Sequence, residues 1–262
     1  MGLLREFGTN LWTVEGPVVD FYGFPYTTRM AVVKLEDGSA WLWSPVLWSE
    51  ELASEIESSV GPIRHLVSPN KLHWLFLKGW QEKYPSAIVY ASPGLRERDV
   101  VNDVRFDKDL SEESDPSFAA DIEQVIMRSD EVLDEVIFFH KPSKTVIICD
   151  YIQRFPEGTF KGFKGWLMKA DGLVGPKGGA PRELRLIMWL NGSLPEARVT
   201  LDKIISWLPE KLIIAHGENA TENAVAVLEQ SFSWIPLQPR TERFSCLAPL
   251  LPPPKGDDKA SE

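Results

Sequence analysis

Cysteine is nearly absent from these 262 residues, which hold only Cys149 and Cys246. Neither their number nor their spacing suits a disulfide framework or a zinc knuckle. Cys149 stands in an apolar run and reads as a small buried hydrophobe. Histidine is scarce too, with four in the chain. No run approaches the roughly 18 apolar residues that a membrane-spanning helix needs. Met1 to Glu6 hold no apolar core of signal-peptide length, so a reducing, cytoplasmic setting is the expectation. Positive charge is in deficit: 28 Lys and Arg stand against 38 Asp and Glu, a net of −10. That argues against nucleic acid or an anionic membrane as the main partner and leaves a small molecule. The one locally basic stretch, 161–169, interleaves lysines with aromatics. It reads as a solvated helix face, with a patch for an anionic substrate as the alternative.

What is present is a large core. The chain is 44% hydrophobic and 25% charged, in the range of soluble globular proteins. Segments 10–14 and 30–35 read as strands, and 40–43 follows across Glu36-Asp37-Gly38-Ser39, whose Asp-Gly marks a hairpin. Ser49 caps a helix over 50–58. An apolar strand, 63–67, stops at Ser68-Pro69-Asn70, and an amphipathic helix over 71–83 begins at once. Segment 87–91 is a further strand. The polar, acidic stretch 94–116 is either a surface excursion or a lid. Segment 116–128 reads as a short helix or an irregular region.

Strands 135–139 and 145–149 make a second hairpin through His140-Lys141-Pro142-Ser143-Lys144, and Asp150 follows directly. Helices are expected over 160–173, 182–190 and 200–208. A short buried strand, 211–215, ends at His216-Gly217, and a helix over 220–230 comes next. The expected organisation is one domain, 1–235, with a Pro-rich and charged tail, 236–262, expected to be partly disordered.

Three polar residues share one local context. His73 follows strand 63–67, Asp150 follows strand 145–149, and His216 follows strand 211–215. In open α/β sheets, ligands bind beyond the carboxyl ends of strands. A lone histidine or aspartate in such a place is an ordinary turn residue or a satisfied core group. Two imidazoles and one carboxylate together suit Zn²⁺, or Fe²⁺ with open positions. His65, inside a strand, is expected to be buried with its ring satisfied. His140, in a hairpin turn, is expected to be exposed or bonded to backbone.

The early hairpins, the aspartate after the second hairpin and Ala215-His216-Gly217 resemble the metallo-β-lactamase superfamily. More closely, four stretches resemble an uncharacterised domain-of-unknown-function family within it. They are Met30-Ala31-Val32-Val33-Lys34-Leu35, Trp43-Ser44-Pro45-Val46, His65-Leu66-Val67-Ser68-Pro69-Asn70 with His73, and Tyr84-Pro85-Ser86-Ala87. The resemblance implies an α/β fold, the metallo-β-lactamase-like four-layer αββα sandwich, with metals at the rim between two sheets.

The superfamily signature is His-x-His-x-Asp-His, and residues 68–73 here read Ser-Pro-Asn-Lys-Leu-His. Ser68 and Asn70 replace two histidines of the first metal position, and no histidine lies between His73 and His140 to supply its third. Leu72 replaces the aspartate of the second position. What matches is His73, Asp150 and His216, a set for one ion.

The expected function is therefore a metal-dependent enzyme with a single divalent ion, Zn or Fe, held by His73, Asp150 and His216. Hydrolysis of an ester, thioester or lactone of a small molecule is the default that the resemblance implies. Asp150, Asn70 and Lys71 are the candidate catalytic residues. Asn70 either caps the helix carrying His73 or orients a water or carbonyl; Lys71 either stabilises an anionic intermediate or is simply exposed. One alternative is a binding or scaffold protein that kept the fold and lost the chemistry. Another is a metal-free or Fe-dependent lyase, isomerase or oxygenase on the same rim.

Overall fold

The computed structural model describes residues 2–129 and 133–236. The expected tail, save Pro236, and Cys246 with it lie outside the described residues. In chain order the elements are β1 (Arg5–Gly8), β2 (Leu11–Glu15), β3 (Val19–Phe21), β4 (Phe24–Tyr26), β5 (Arg29–Lys34), β6 (Ala40–Trp43), α1 (Glu50–Ser59), β7 (Ile63–Val67), α2 (Leu77–Lys83) and β8 (Ile88–Ala91). There follow β9 (Lys108–Asp109), β10 (Ile122–Met127), β11 (Glu135–His140), β12 (Thr145–Arg154), α3 (Gly162–Asp171), α4 (Arg182–Leu190), α5 (Leu194–Ser206), β13 (Lys211–Gly217) and α6 (Ala224–Ser231).

Two sheets carry the fold. The first runs β1-β2-β5-β6-β7-β8-β9 and the second β10-β11-β12-β13. Strand periodicity decides what each face meets. In β5, Met30 and Val32 face outward, while Ala31 and Val33 face the second sheet; in β6, Ala40 and Leu42 face out, while Trp41 and Trp43 face in. Helices α1 and α2 cover the outer face of the first sheet through Leu52, Ala53, Ile56, Leu77 and Trp80. Helices α4, α5 and α6 cover the second through Leu184, Met188, Ala197, Leu201, Ile204, Ala224 and Leu228. Helix, sheet, sheet and helix give the four layers. The central strands β5, β6, β11 and β12 are therefore covered on both faces, which is why they read as continuous apolar runs.

The two sheets are tied at one rim by polar contacts. Arg29, buried and paired with Glu15 at 2.8 Å, reaches across to the Ile214 carbonyl at 2.5 Å and to Asn219 Oδ1 at 2.9 Å. The Val136 N–H donates to the Pro69 carbonyl at 2.8 Å, which docks the corner after β7 onto β11.

Several expectations need correction. Segment 116–128 holds strand β10, whose alternate residues Ile122, Gln124 and Ile126 are buried against the first sheet's side while it pairs along its length with β11. The helix expected from 71 starts at Leu77, because Asn70 bends the backbone into turns before it. Strands β12 and β13 run on past Asp150 and His216, so these residues lie within strands and not after them. Helix α5 begins six residues earlier than the expected 200–208, with Pro195 in its first turn, where its missing N–H costs nothing. His140 closes β11 and is fully buried, its Nδ1 2.7 Å from Ser143 Oγ. The 94–116 excursion buries Leu95, Val101, Val104 and Leu110 and adds β9 to the edge of the first sheet. Among the described residues, no helix is long and apolar enough to cross a membrane.

Candidate metal centre

The site grows from the corner after β7. Asn70 is fully buried, and its Oδ1 accepts the N–H groups of Leu72 at 2.9 Å and His73 at 3.2 Å. This side-chain turn replaces the expected first helical turn and sets where His73 emerges. The other end of the amide, Nδ2, donates to Asp150 Oδ2 at 2.7 Å and to Glu135 Oε2 at 3.2 Å. Two N–H donors on one side and two carboxylates on the other fix which way the amide points.

Asp150 reaches the rim because β12 is irregular. Up to Cys149 its residues alternate, with Val146 and Ile148 outward and Ile147 and Cys149 inward. Register against β13 then slips between Ile148 and Gln153, and Tyr151 and Ile152 both face outward. The bulge re-aims Asp150 beside Cys149. Glu135 holds the bulge from beneath: its Oε1 accepts from Cys149 N at 2.6 Å and its Oε2 from Asp150 N at 2.7 Å.

His73, Asp150 and His216 do converge. Asp150 Oδ1 lies 3.0 Å from His216 Nε2, and Oδ2 lies 3.4 Å from His73 Nε2. The two ring centroids are 5.1 Å apart. The three side chains are no more than 10% exposed. Each ring is fixed from behind. His73 Nδ1 meets Ser44 Oγ at 2.7 Å, and His216 Nδ1 meets the Thr27 carbonyl at 2.6 Å. Trp43 stacks near His73, Phe155 stacks near His216, and Tyr26 stands edge-on to His216 at 5.0 Å.

One of these contacts constrains charge. A carbonyl only accepts, so His216 donates from Nδ1. A neutral ring with that tautomer turns a lone pair, on Nε2, toward Asp150 Oδ1. Two acceptors at 3.0 Å call for positive charge, from a proton on the ring or from a metal ion. Tetrahedral N and O ligands at about 2.0–2.2 Å from an ion stand roughly 3.3 Å apart, close to the 3.0 and 3.4 Å found here. The two contacts that Asp150 makes with the rings therefore have the spacing of neighbouring ligands on one ion. The group whose ligand atoms all lie within 4.8 Å of one another is His73, Cys149 and Asp150, and His216 reaches it through Asp150 Oδ1. Imidazole, carboxylate and thiol donors suit Zn or Fe and not Mg or Ca.

The carboxyls beneath divide one charge. Burial pushes Asp150 up, but the His73 charge and hydrogen bonds from His216 and His73 outweigh it and hold Asp150 ionised. Burial and then the Asp150 charge push Glu135 well above the usual carboxylate range. Burial, then the charges of Asp150 and Glu135, raises the Cys149 thiol far above its ordinary value. A bound ion would reverse that logic for the thiol.

The sequence model of one family, described as a domain of unknown function (DUF4336), matches residues 9–164. The chain belongs to that family. Its fold is similar to that of solved metallo-β-lactamases and of a flavodiiron core. A metallo-β-lactamase from Pontibacter korlensis matches with a TM-score of 0.59 at 13% identity, over 90% of this chain and 99% of that one. DIM-1 metallo-β-lactamase exposed to ceftazidime matches at 0.60 and 16%, over 88% and 95%. The metal-soaked Flv1 flavodiiron core from Synechocystis matches at 0.59 and 10%, over 88% of this chain and 60% of that one. Among the curated proteins none matches this sequence.

Of the residues expected to act, Lys71 stands apart in kind. Its carbonyl accepts from Arg98, and its side chain lies against Gly94. Asn70 does not cap a helix that carries His73, as one expectation had it, since α2 starts only at Leu77; it holds the turn before it and bonds the two carboxyls. Glu135, Cys149, Ser44 and the Thr27 carbonyl were not expected. Glu135 had a signal, a charge heading the otherwise apolar run Val136-Ile137-Phe138-Phe139. Thr27 had none, since it acts through backbone.

Proposed function

We propose that this chain is a metal-dependent enzyme holding one divalent ion, Zn or Fe, through His73, Asp150 and His216, with Cys149 in reserve beside them. The observation that carries the reading is the His216 clamp. Its Nδ1 is committed to the Thr27 carbonyl, so its Nε2 lone pair faces Asp150 across a gap suited to a cation. When bound, such an ion lowers the pKa of a bound water or polarises a carbonyl. The chain's own residues do the rest. Asn70 donates to Asp150 Oδ2 and holds the carboxylate with Oδ1 toward His216 and Oδ2 toward His73. Trp43, Phe155 and Tyr26 wall the rings and exclude water from them. Lys71, next in sequence to Asn70, supplies a cation for an anionic intermediate.

The default reaction is hydrolysis of an ester, thioester or lactone of a cytoplasmic small molecule. The test is a panel of small esters, thioesters and lactones with native protein and with Asp150→Asn. Turnover by the native chain that falls at least 100-fold in the variant supports the reading. Turnover equal in both overturns it. A second reading rests on Asn70, which stands where the superfamily signature has a histidine and whose amide bonds Asp150. A binding protein that kept the fold would show no turnover and would tolerate all three ligand replacements.

A further inference from the structure

Ser44 has a backbone that serine rarely adopts. It follows β6 with φ at +49°, in the left-handed region. A side chain there is strained, and glycine would take the same conformation freely. Nothing in the main-chain contacts demands serine: its N–H donates to the Val67 carbonyl at 2.9 Å, which glycine would do as well. Pro45 follows, so no helix or strand continues through it. The residue is 5% exposed, so its hydroxyl is not there for solvent. What the hydroxyl does touch is His73 Nδ1, at 2.7 Å.

The His216 ring offers a parallel. Its Nδ1 is held by a backbone carbonyl, and its Nε2 faces Asp150. His73 presents the same arrangement, Nδ1 held and Nε2 toward Asp150, but the group behind it is a side-chain hydroxyl. For the His73 Nε2 lone pair to face an ion, the ring hydrogen must sit on Nδ1 and donate to Ser44 Oγ. Strained backbone persists where the surroundings hold it, and it clusters at working sites.

We infer that Ser44 is a positioning residue: it is kept in a strained backbone so that its hydroxyl accepts from His73 Nδ1 and turns Nε2 toward the ion. This rests on the single-ion reading above. The inference separates two effects that a purely structural residue would keep together. Ser44→Ala and Ser44→Gly both remove the hydroxyl, but only the glycine relieves the strain.

The experiment uses the untagged full chain, with Co²⁺ as the probe. Affinity is read by competition with a chelator, ligand geometry by the Co²⁺ absorption bands, and stability by melting of the metal-free protein. Both variants should lose 10- to 100-fold in Co²⁺ affinity, by similar factors. The metal-free Ser44→Gly protein should nonetheless melt above Ser44→Ala. Native affinity in both variants overturns the inference, as does affinity that simply follows melting temperature. Native protein that takes up no Co²⁺ overturns the single-ion reading itself, and the inference with it.

Discussion

His73 and His216 differ from His65 and His140 in what stands against the ring, not in how deeply they lie. All four are largely shielded from solvent. His65 is bonded to a phenol, Tyr90 at 3.2 Å, and His140 to a hydroxyl, Ser143 at 2.7 Å. Burial then pushes both down to about 4, and they are simply neutral rings inside sheets. His73 has a hydroxyl behind it and His216 a carbonyl, and only these two have the oxygens of one carboxylate in front. Burial alone makes a core imidazole. Burial with a shared carboxylate makes a ligand pair.

The largest effect that this contrast predicts is on metal affinity. His73→Ala, Asp150→Ala and His216→Ala should each lower Zn²⁺ affinity by at least about 100-fold, whereas His65→Ala should leave it within about threefold. Equilibrium competition against a chelator measures both, and a loss with His65→Ala would dissolve the distinction between the two pairs.

Next comes Asn70→Leu, which takes one donor from each of two buried carboxyls and the side-chain acceptor from two turn N–H groups. Its expected cost is about 2–4 kcal/mol in urea unfolding of the metal-free protein. A cost under about 1 kcal/mol would show that the corner does not depend on the amide.

Glu135 and the two core histidines give opposite pH signatures. Glu135 is raised in the fold to about 8, so the unfolded chain loses its proton first as pH rises. Its contribution to stability is present below about 4.5 and is lost up to about 8, by about 1.4 kcal/mol per unit. Stability measured from pH 5 to 8 should therefore decline less steeply, or rise more, in Glu135→Gln than in native protein. His65 and His140 are depressed, so the unfolded chain takes up their protons first as pH falls. Their contribution is present above about 6.5 and is lost down to about 4. His140→Leu should remove roughly half of that acid loss. Parallel pH curves for native protein and either variant would refute the corresponding assignment. The smallest change is expected of Lys71→Ala: metal affinity within about twofold and, once a substrate is known, kcat/KM down about tenfold.

The sequence disclosed the fold more fully than the site. Both inner strand pairs were legible because β5, β6, β11 and β12 are apolar on two faces, and Asp37-Gly38 marks a hairpin on local grounds alone. Strand β10 was missed because Glu123 and Gln124 hide its alternation, and its pairing with β11 comes from tertiary contact. His73, Asp150 and His216 could be named since each stands near the end of an apolar run. What escaped was everything that aims them. The β12 bulge has no sequence mark, Thr27 acts through its carbonyl, and Ser44 acts through a backbone angle. Cys149 was read as a plain hydrophobe because it stands in an apolar run, and the irregularity that brings Asp150 beside it does not show there.

The most direct measurement is metal content by mass spectrometry of the untagged, natively purified chain, followed by Zn²⁺ titration of the stripped protein. One equivalent of Zn or Fe, bound at a single site and lost in Asp150→Ala, is the result predicted. A stripped protein that takes up no ion, or one that takes up two with equal affinity, would contradict a single ion held between two imidazoles and one carboxylate.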